Sequence, residues 1–416
     1  MAGQKSTTDT FAGTIKSLAI SSNDGGKQAE LAGKNIISFT YMESLMNDSV
    51  TATITYSDTG ITKDGTKNVL EDLPIIGTEK VSCSFSDVQG ESISMDLYVN
   101  SVSPVLEDTR KEVVILNLKS KEFILNEKVR LRKRYDGKIS DHVNMILTDT
   151  VGEGLGTDKK IEVEETANNY NFIGNNLKSF YTINWLSKKA ISSKSQEKGK
   201  SAGYFFYETS EGFFFKSIDG LLEQEPKRSI IYNETTNGGN HIPPRYDYQA
   251  LRYAKDNLVD AQNKLRMGTY TSRMVLFDPF NCFYEIVTNE PSEDVKTAGK
   301  NLPKLNPEFN IPGKDKEFSR TTFYLLDKGT LPTGDTKQQI EKSDEENLEY
   351  KDILNQSIMR YNQFFAFAAT ITIPGDFTLH AGDAIFLDVP MLEKSNNGET
   401  SKMDSGLYII TELTHY

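Results

Sequence analysis

The sequence predicts a mainly β fold with an α+β insertion, in which two similar antiparallel tube-type β-barrels are joined by a mixed helical region. Three observations carry this. Short runs in the first 120 residues place apolar side chains at every second position; the apolar spacing then lengthens to that of helices; and strand patterns that return near the C-terminus repeat the first set in order. The 416 residues accordingly divide into a first barrel over 1–120, a mixed α+β region over 121–202, the start of a second barrel over 203–235, a helical and irregular insertion over 236–317, and the remainder of the second barrel over 318–416.

In the first region the clearest strand is Val50 to Tyr56. Val50, Ala52, Ile54 and Tyr56 point one way and Thr51, Thr53 and Thr55 the other, which is the period of a half-buried strand. Asn35 to Tyr41 precedes it, and Glu79 to Phe85, Ser92 to Asn100 and Glu112 to Leu118 follow, separated by turn material such as Gln89-Gly90 and the polar stretch Asp58 to Lys67. In the second region Ser140 is placed to cap a helix carrying Val143, Ile146, Leu147 and Val151, with Gly152 as its stop. A further helix is expected over about Ile183 to Ser192, with Trp185, the one tryptophan, in the core.

Tyr204 to Phe215 reads as a hairpin around Glu208 to Gly212. Leu251, Ala254, Leu258, Ala261 and Leu265 then predict one amphipathic helix over 248–266. Pro291, Pro303, Pro307 and Pro312 make Thr288 to Lys316 an expected irregular arm, and Lys328 to Glu349 an acidic-ended polar loop, before strands resume at Phe364 to Ile373. This arm and the acidic stretch Asp335 to Glu349 are the loop segments expected to meet partners.

The repeat has three links. Thr51 to Tyr56 matches Ala368 to Ile373, Ile75 to Val81 matches His380 to Phe386, and Leu97 to Val102 matches Leu407 to Glu412. The first set continues into Glu112 to Leu118, whereas the second reaches Tyr416 without such a strand, so the second barrel is expected to lack its last strand or to borrow it from a neighbouring molecule.

Composition narrows the function classes. A net charge of -12, from 47 basic and 59 acidic residues, opposes unspecific binding to nucleic acid or to an anionic membrane. The longest near-apolar run, Phe364 to Ile373, spans about 10 residues, too few for a membrane-crossing helix. Cys83 and Cys282 form no CxxC or Cys/His cluster, and Met1 to Thr10 has no apolar core, so a soluble protein made in a reducing cytoplasm is expected.

Signals for catalysis, cofactors or metals are weak. His142, His241, His380 and His415 are scattered singly, without HExxH or a pair at helical spacing. Ser195 to Lys198 matches SxxK inside a polar run, and Gly152, Gly154 and Gly156 follow a helix instead of opening one, which makes them a stop and turn and not a phosphate loop. No residue is therefore assigned to catalysis, a cofactor or a metal. One basic stretch stands out: if extended, Lys128, Arg130, Arg132 and Arg134 share a face and form a positive stripe suited to an acidic partner surface through Arg–carboxylate pairs.

Laid out in this order, the parts resemble the central baseplate hub protein of T4-like contractile-tailed bacteriophages. Three pieces carry the resemblance: Ile36 to Thr55 with Tyr41-Met42-Glu43-Ser44-Leu45; the hairpin Tyr204 to Phe215 with Ser217-Ile218-Asp219 and Gln224-Glu225-Pro226; and Gly382-Asp383-Ala384-Ile385-Phe386-Leu387 with Gly406 to His415. The resemblance implies a non-enzymatic homotrimer of six barrels around one axis, matching a sixfold tail tube on one side and a threefold spike on the other. Implied partners are the tube or tube-initiator protein, the central spike protein and other baseplate proteins, in a virion assembled in the host cytoplasm. The genome would pass through an acidic or neutral lumen without specific binding, and no membrane is involved. Two other classes remain open on the residues alone: a virion-associated or secreted cell-wall hydrolase, and a β-rich carbohydrate-binding adhesin.

Overall fold

The computed structural model describes residues 13–31, 36–58, 69, 73, 75–87, 89–108, 111–150, 153–194, 202–232, 242, 244–255, 260–268, 272–278, 283–289, 306–309, 320–325, 350–365, 367–390, 401 and 404–416. The first region forms β1 (Thr14–Ser21), β2 (Gln28–Glu30), β3 (Ile36–Ser44), β4 (Thr51–Asp58), β5 (Lys80–Ser86), β6 (Ser92–Asp108) and β7 (Lys111–Lys119). The alternation in β4 does what it predicts: Val50, Ala52, Ile54 and Tyr56 are buried, and they meet Val114, Leu116 and Leu118 of β7 in one core with Leu18, Ile20 and Val81. Each such aliphatic side chain contributes about 1.5–3 kcal/mol by leaving water. β6 runs past the expected Asn100 because bulges at Val99/Ser101 and Pro104/Leu106 re-register it against β7 without ending the ladder.

The middle of the chain supplies α1 (Lys121–Lys128), β8 (Arg134–Tyr135), α2 (Ile139–Thr148), β9 (Lys160–Val163), β10 (Phe172–Ile173) and α3 (Ser179–Ser187). Ser140 is not the cap of α2; the helix already includes it, and its backbone N–H bonds the Thr166 hydroxyl at 3.0 Å. Gly152 lies outside the described residues, but the turn reading of this glycine run fits Gly154. A Cβ there would come within 2.7 Å of Asp149, while the Leu155 N–H returns to the Ile146 carbonyl at 2.9 Å. Trp185 packs edge-on against Tyr170 and Phe172, at 5.3 and 5.4 Å between centroids, with the Lys189 ammonium 3.5 Å over its ring.

The hairpin is β11 (Tyr204–Thr209) and β12 (Gly212–Ser217), turned at Ser210-Glu211, and α4 (Ile218–Leu222) follows. It pairs in parallel with β9, which places it in a sheet with the middle region. Then come β13 (Arg228–Ile231), β14 (Tyr248–Gln249), β15 (Arg252–Lys255), α5 (Ala261–Met267), β16 (Ser272–Asp278), β17 (Phe283–Asn289), β18 (Arg320–Leu325), α6 (Tyr350–Phe364), β19 (Ala369–Thr372), β20 (Ala384–Asp388), β21 (Gly406–Ile409) and β22 (Glu412–His415). The single helix expected over 248–266 is instead two short strands and a short helix. Arg252–Lys255 is drawn into a ladder with β19, and α5 starts only after Asp260, whose carboxylate accepts the Asn263 N–H at 2.9 Å.

The architecture is mainly β in several sheets, and the expected closed barrels are absent among the described residues. The first sheet is antiparallel, in the order β2-β1-β5-β6-β7-β4-β3-β22. Closure requires its edges to pair, and those edges are β2, of three residues, and β22, of four. The second expected barrel is a four-stranded sheet, β14-β13-β20-β21, in which β13 runs parallel to both β14 and β20. The parallel pairing of β13 with β14 and β20 needs crossover connections, and only β20 and β21 pair as successive antiparallel strands.

The repeat survives in one link. The pairs β5·β6 and β20·β21 are both antiparallel neighbours, but β4 pairs with β3 and β7 whereas β19 pairs with β15. The third repeat segment, Leu407 to Glu412, splits: β21 stays in the second sheet and β22 crosses to the edge of the first.

Candidate functional site: a buried junction between the two strand regions

The crossing of β22 creates a junction whose centre is Glu43, on the inward face of β3 and 1% exposed. Its Oε1 accepts from the Tyr41 hydroxyl at 2.8 Å and from the Ser210 N–H at 2.8 Å, and its Oε2 from the Ala381 N–H at 3.0 Å. His380 Nδ1 lies 3.3 Å from the same carboxylate, and its Nε2 lies 3.5 Å from Glu211. One carboxylate thus ties β3, the hairpin turn and the segment before β20.

Burial alone would push the Glu43 carboxyl up, but the His380 hydrogen bond and charge, with the Ser210 and Ala381 amides, outweigh it and hold the group below its ordinary range. Burial likewise works against protonated His380, and the Glu43 hydrogen bond and charge overcome it, so this imidazole is raised. With His380 protonated the two form an ion pair, and the second ring nitrogen is directed at Glu211. Backbone bonds complete the closure: Leu45 N–H to the Thr411 carbonyl at 2.9 Å, and Gly382 N–H to the Ile410 carbonyl at 2.8 Å. Gly382 sits at φ +91°, with its open side against Tyr207, where a Cβ would lie 2.3 Å from the phenol oxygen. His415 covers the junction, stacked on Tyr41 and edge-on to Phe377 at 4.7 Å, and burial lowers its pKa.

Two further buried clusters flank it. Lys159 bridges Glu122, at 2.8 Å, and Glu208, whose other oxygen accepts the Val50 N–H at 3.1 Å. Asp376 accepts from Arg228 Nε at 2.9 Å, the Tyr248 hydroxyl at 2.8 Å and the Thr378 N–H at 2.9 Å, and Gln89 from the turn between β5 and β6 bonds that same Tyr248. These carboxylates serve backbone amides and fixed cations, which locks elements together. Among the described residues no three His, Cys, Asp or Glu side chains form a group that could hold a metal. A cleft of about 780 Å3 opens between α3, α5, β18 and α6, lined by Phe205, Met267, Tyr324, Tyr361 and Phe365 among others.

The basic stripe is only partly a stripe. Lys128 is the last residue of α1, and Val129 after it is extended. Arg130 folds back on that helix, its guanidinium donating to the carbonyls of Asn126, Glu127 and Val129 at 3.3, 2.9 and 2.8 Å. Arg132 donates to Asn176 Oδ1 at 3.2 Å from an exposed position, and Arg134 makes a two-oxygen contact with Asp136 at 2.8 Å. His142 is a core residue, bonded to the Tyr170 carbonyl at 2.9 Å and depressed by burial. His241, Cys282 and the SxxK serine and lysine lie outside the described residues, as does nearly all of the two loop segments expected to meet partners.

The sequence patterns assign no role to Glu43, His380, Lys159 or Glu208. A charged residue at an inward position of an alternating strand, as Glu43 is after Phe39 and Tyr41, was the available signal.

Several solved structures are similar to this chain. A tail protein from Neisseria meningitidis MC58 has 8% identity and a TM-score of 0.48, over 96% of this chain and 91% of that one. The 43 kDa tail protein of prophage MuSo2 from Shewanella oneidensis has 10% identity and a TM-score of 0.48, over 96% and 93%. A component of the Escherichia coli type VI secretion system has 10% identity and a TM-score of 0.34, over 64% and 60%. No family model and no curated protein matches.

Proposed function

We propose that this chain is a structural, non-enzymatic hub of a phage tail baseplate. It assembles as a ring-shaped homotrimer with pseudo-sixfold symmetry, joins the tail tube to the central spike, and forms part of the DNA conduit. One observation carries this reading. The three segments on which the sequence resembles such hubs, spread over the whole chain, meet in one buried junction: Tyr41, Glu43 and Leu45 from the first; Tyr207, Ser210 and Glu211 from the second; Gly382, Asp383 and Thr411 to His415 from the third. A similarity confined to strand composition has no reason to converge on one place.

The junction suits a load-bearing part. Its polar groups are spent on holding β3, the hairpin and β22 in register, and a frame of this kind transmits force between two strand regions without local hinging. The net charge of -12 suits a conduit, because a wall that does not bind phosphates lets DNA slide. In this reading the two strand-rich regions are the related units of the trimer, the middle region spaces them, and the exposed cations near Arg132 face acidic partner surfaces. Sedimentation of the full chain tests it. A trimer of about 140 kDa, three times 46.7 kDa, is expected, and a chain that stays monomeric at every concentration overturns it.

A further inference from the structure

Sheet β17-β16-β18 has one face buried and one open. Met274 and Leu276 of β16, with Val287 and Tyr324 beside them, pack into the central core. Pairing puts the alternate residues together on the other face: Val275 stands between Ile286 and Phe323, and Phe277 between Tyr284 and Leu325. Five of these are exposed, at 44% for Phe277, 65% for Tyr284, 44% for Ile286, 78% for Phe323 and 69% for Leu325. Taking about 200 Å2 for each aromatic side chain and somewhat less for each aliphatic one, the face leaves roughly 550 Å2 of apolar surface in water, the upper end of what a monomer tolerates.

We propose that this face docks onto a second copy of the chain. The inference rests on the trimeric reading above and names the surface that would build it. Two observations select the occupant. In a closed ring of three the contact is heterologous, so the face meets a different surface of the neighbouring copy; covering it with an equal area there removes roughly 1,100 Å2 before any rim is counted, which clears the approximate 1,000 Å2 needed for a specific interface, and interfaces between like subunits are the more apolar kind. The remaining row on this face is Thr288, Arg273 and Thr321, so no carboxylate lies among its nine positions. For a chain of net charge -12, that is where an equally acidic copy approaches with least repulsion.

The test is sedimentation velocity of the full chain across a concentration series, for wild type, Phe323→Asp, Phe323→Gln and the control Ile76→Asp, which alters an exposed apolar residue elsewhere. Phe323→Asp should weaken association about thirtyfold or more, Phe323→Gln about tenfold, and Ile76→Asp not at all. A wild-type trimer whose association is untouched by both Phe323 variants overturns this surface and leaves the hub reading standing. A monomeric wild type overturns the hub reading itself, and the proposed surface with it.

Discussion

Replacing Glu43 by alanine tests the junction where its energetics are most concentrated. The substitution removes the acceptor for the Ser210 and Ala381 amides and the Tyr41 hydroxyl, and strips His380 of its counter-charge, all in a site closed to water. Breaking one side of a buried ion pair costs about 3–5 kcal/mol, and each orphaned amide adds to the same loss without being independent of it. An unfolding entropy of about 2.1 cal/mol/K per residue gives about 0.9 kcal/mol/K for the whole chain, so a loss of 4 kcal/mol lowers Tm by about 5 °C when the chain melts as one unit. Differential scanning calorimetry measures this directly. Amide exchange adds location, because β22 is held by a four-residue pairing with β3 and should exchange faster in the variant. Glu211→Gln is the contrast: it is half exposed and 3.5 Å from His380, and should cost under about 0.5 kcal/mol. A Glu43→Ala variant that melts within 1 °C of wild type, with unchanged exchange at β22, would refute the reasoning.

Three more outcomes are expected. Gly382→Ala forces a Cβ against Tyr207 at positive φ and should cost about 3 kcal/mol in chemical denaturation, part of which Tyr207→Phe restores by removing the nearest atom. His380 is raised in the folded state, so its stabilisation is fully present below its ordinary pKa of 6.5 and is lost as pH rises through the higher folded value. The Tm difference between wild type and His380→Gln should therefore be largest near pH 6 and shrink toward pH 9; a difference that grows with pH contradicts the pairing. Reversing Arg130 and Arg132 to glutamate should weaken assembly with an acidic partner surface about tenfold at low salt and less at high salt, and an unchanged assembled mass removes that contact.

What the sequence made legible follows from which interactions are local. The β4 alternation was readable because a strand half in water must repeat every two residues, and the hairpin was readable because its turn and both strands lie within 14 residues. Helix α6 was missed although Ile353, Leu354, Ile358 and Tyr361 recur at helical spacing, because the neighbouring run Phe364 to Ile373 reads more strongly as strand. Residues 248–255 failed for the opposite reason: their helical spacing is overridden by the pairing of Tyr248–Gln249 with β13 and of Arg252–Lys255 with β19, the latter more than 100 residues away. Barrel closure and the crossing of β22 are set by which edges meet, which no local pattern encodes. The junction followed the same rule. Glu43 and His380 lie 337 positions apart, and each looks ordinary until the fold brings them within 3.3 Å.

The central claim is a ring built from three copies of this chain, and class-averaged electron micrographs of the purified full-length protein test it most directly. Particles with threefold symmetry, two lobes per protomer and an open centre wide enough for a DNA duplex of about 20 Å are expected. Compact single-chain particles without a central opening, at concentrations well above those of the sedimentation series, would contradict it.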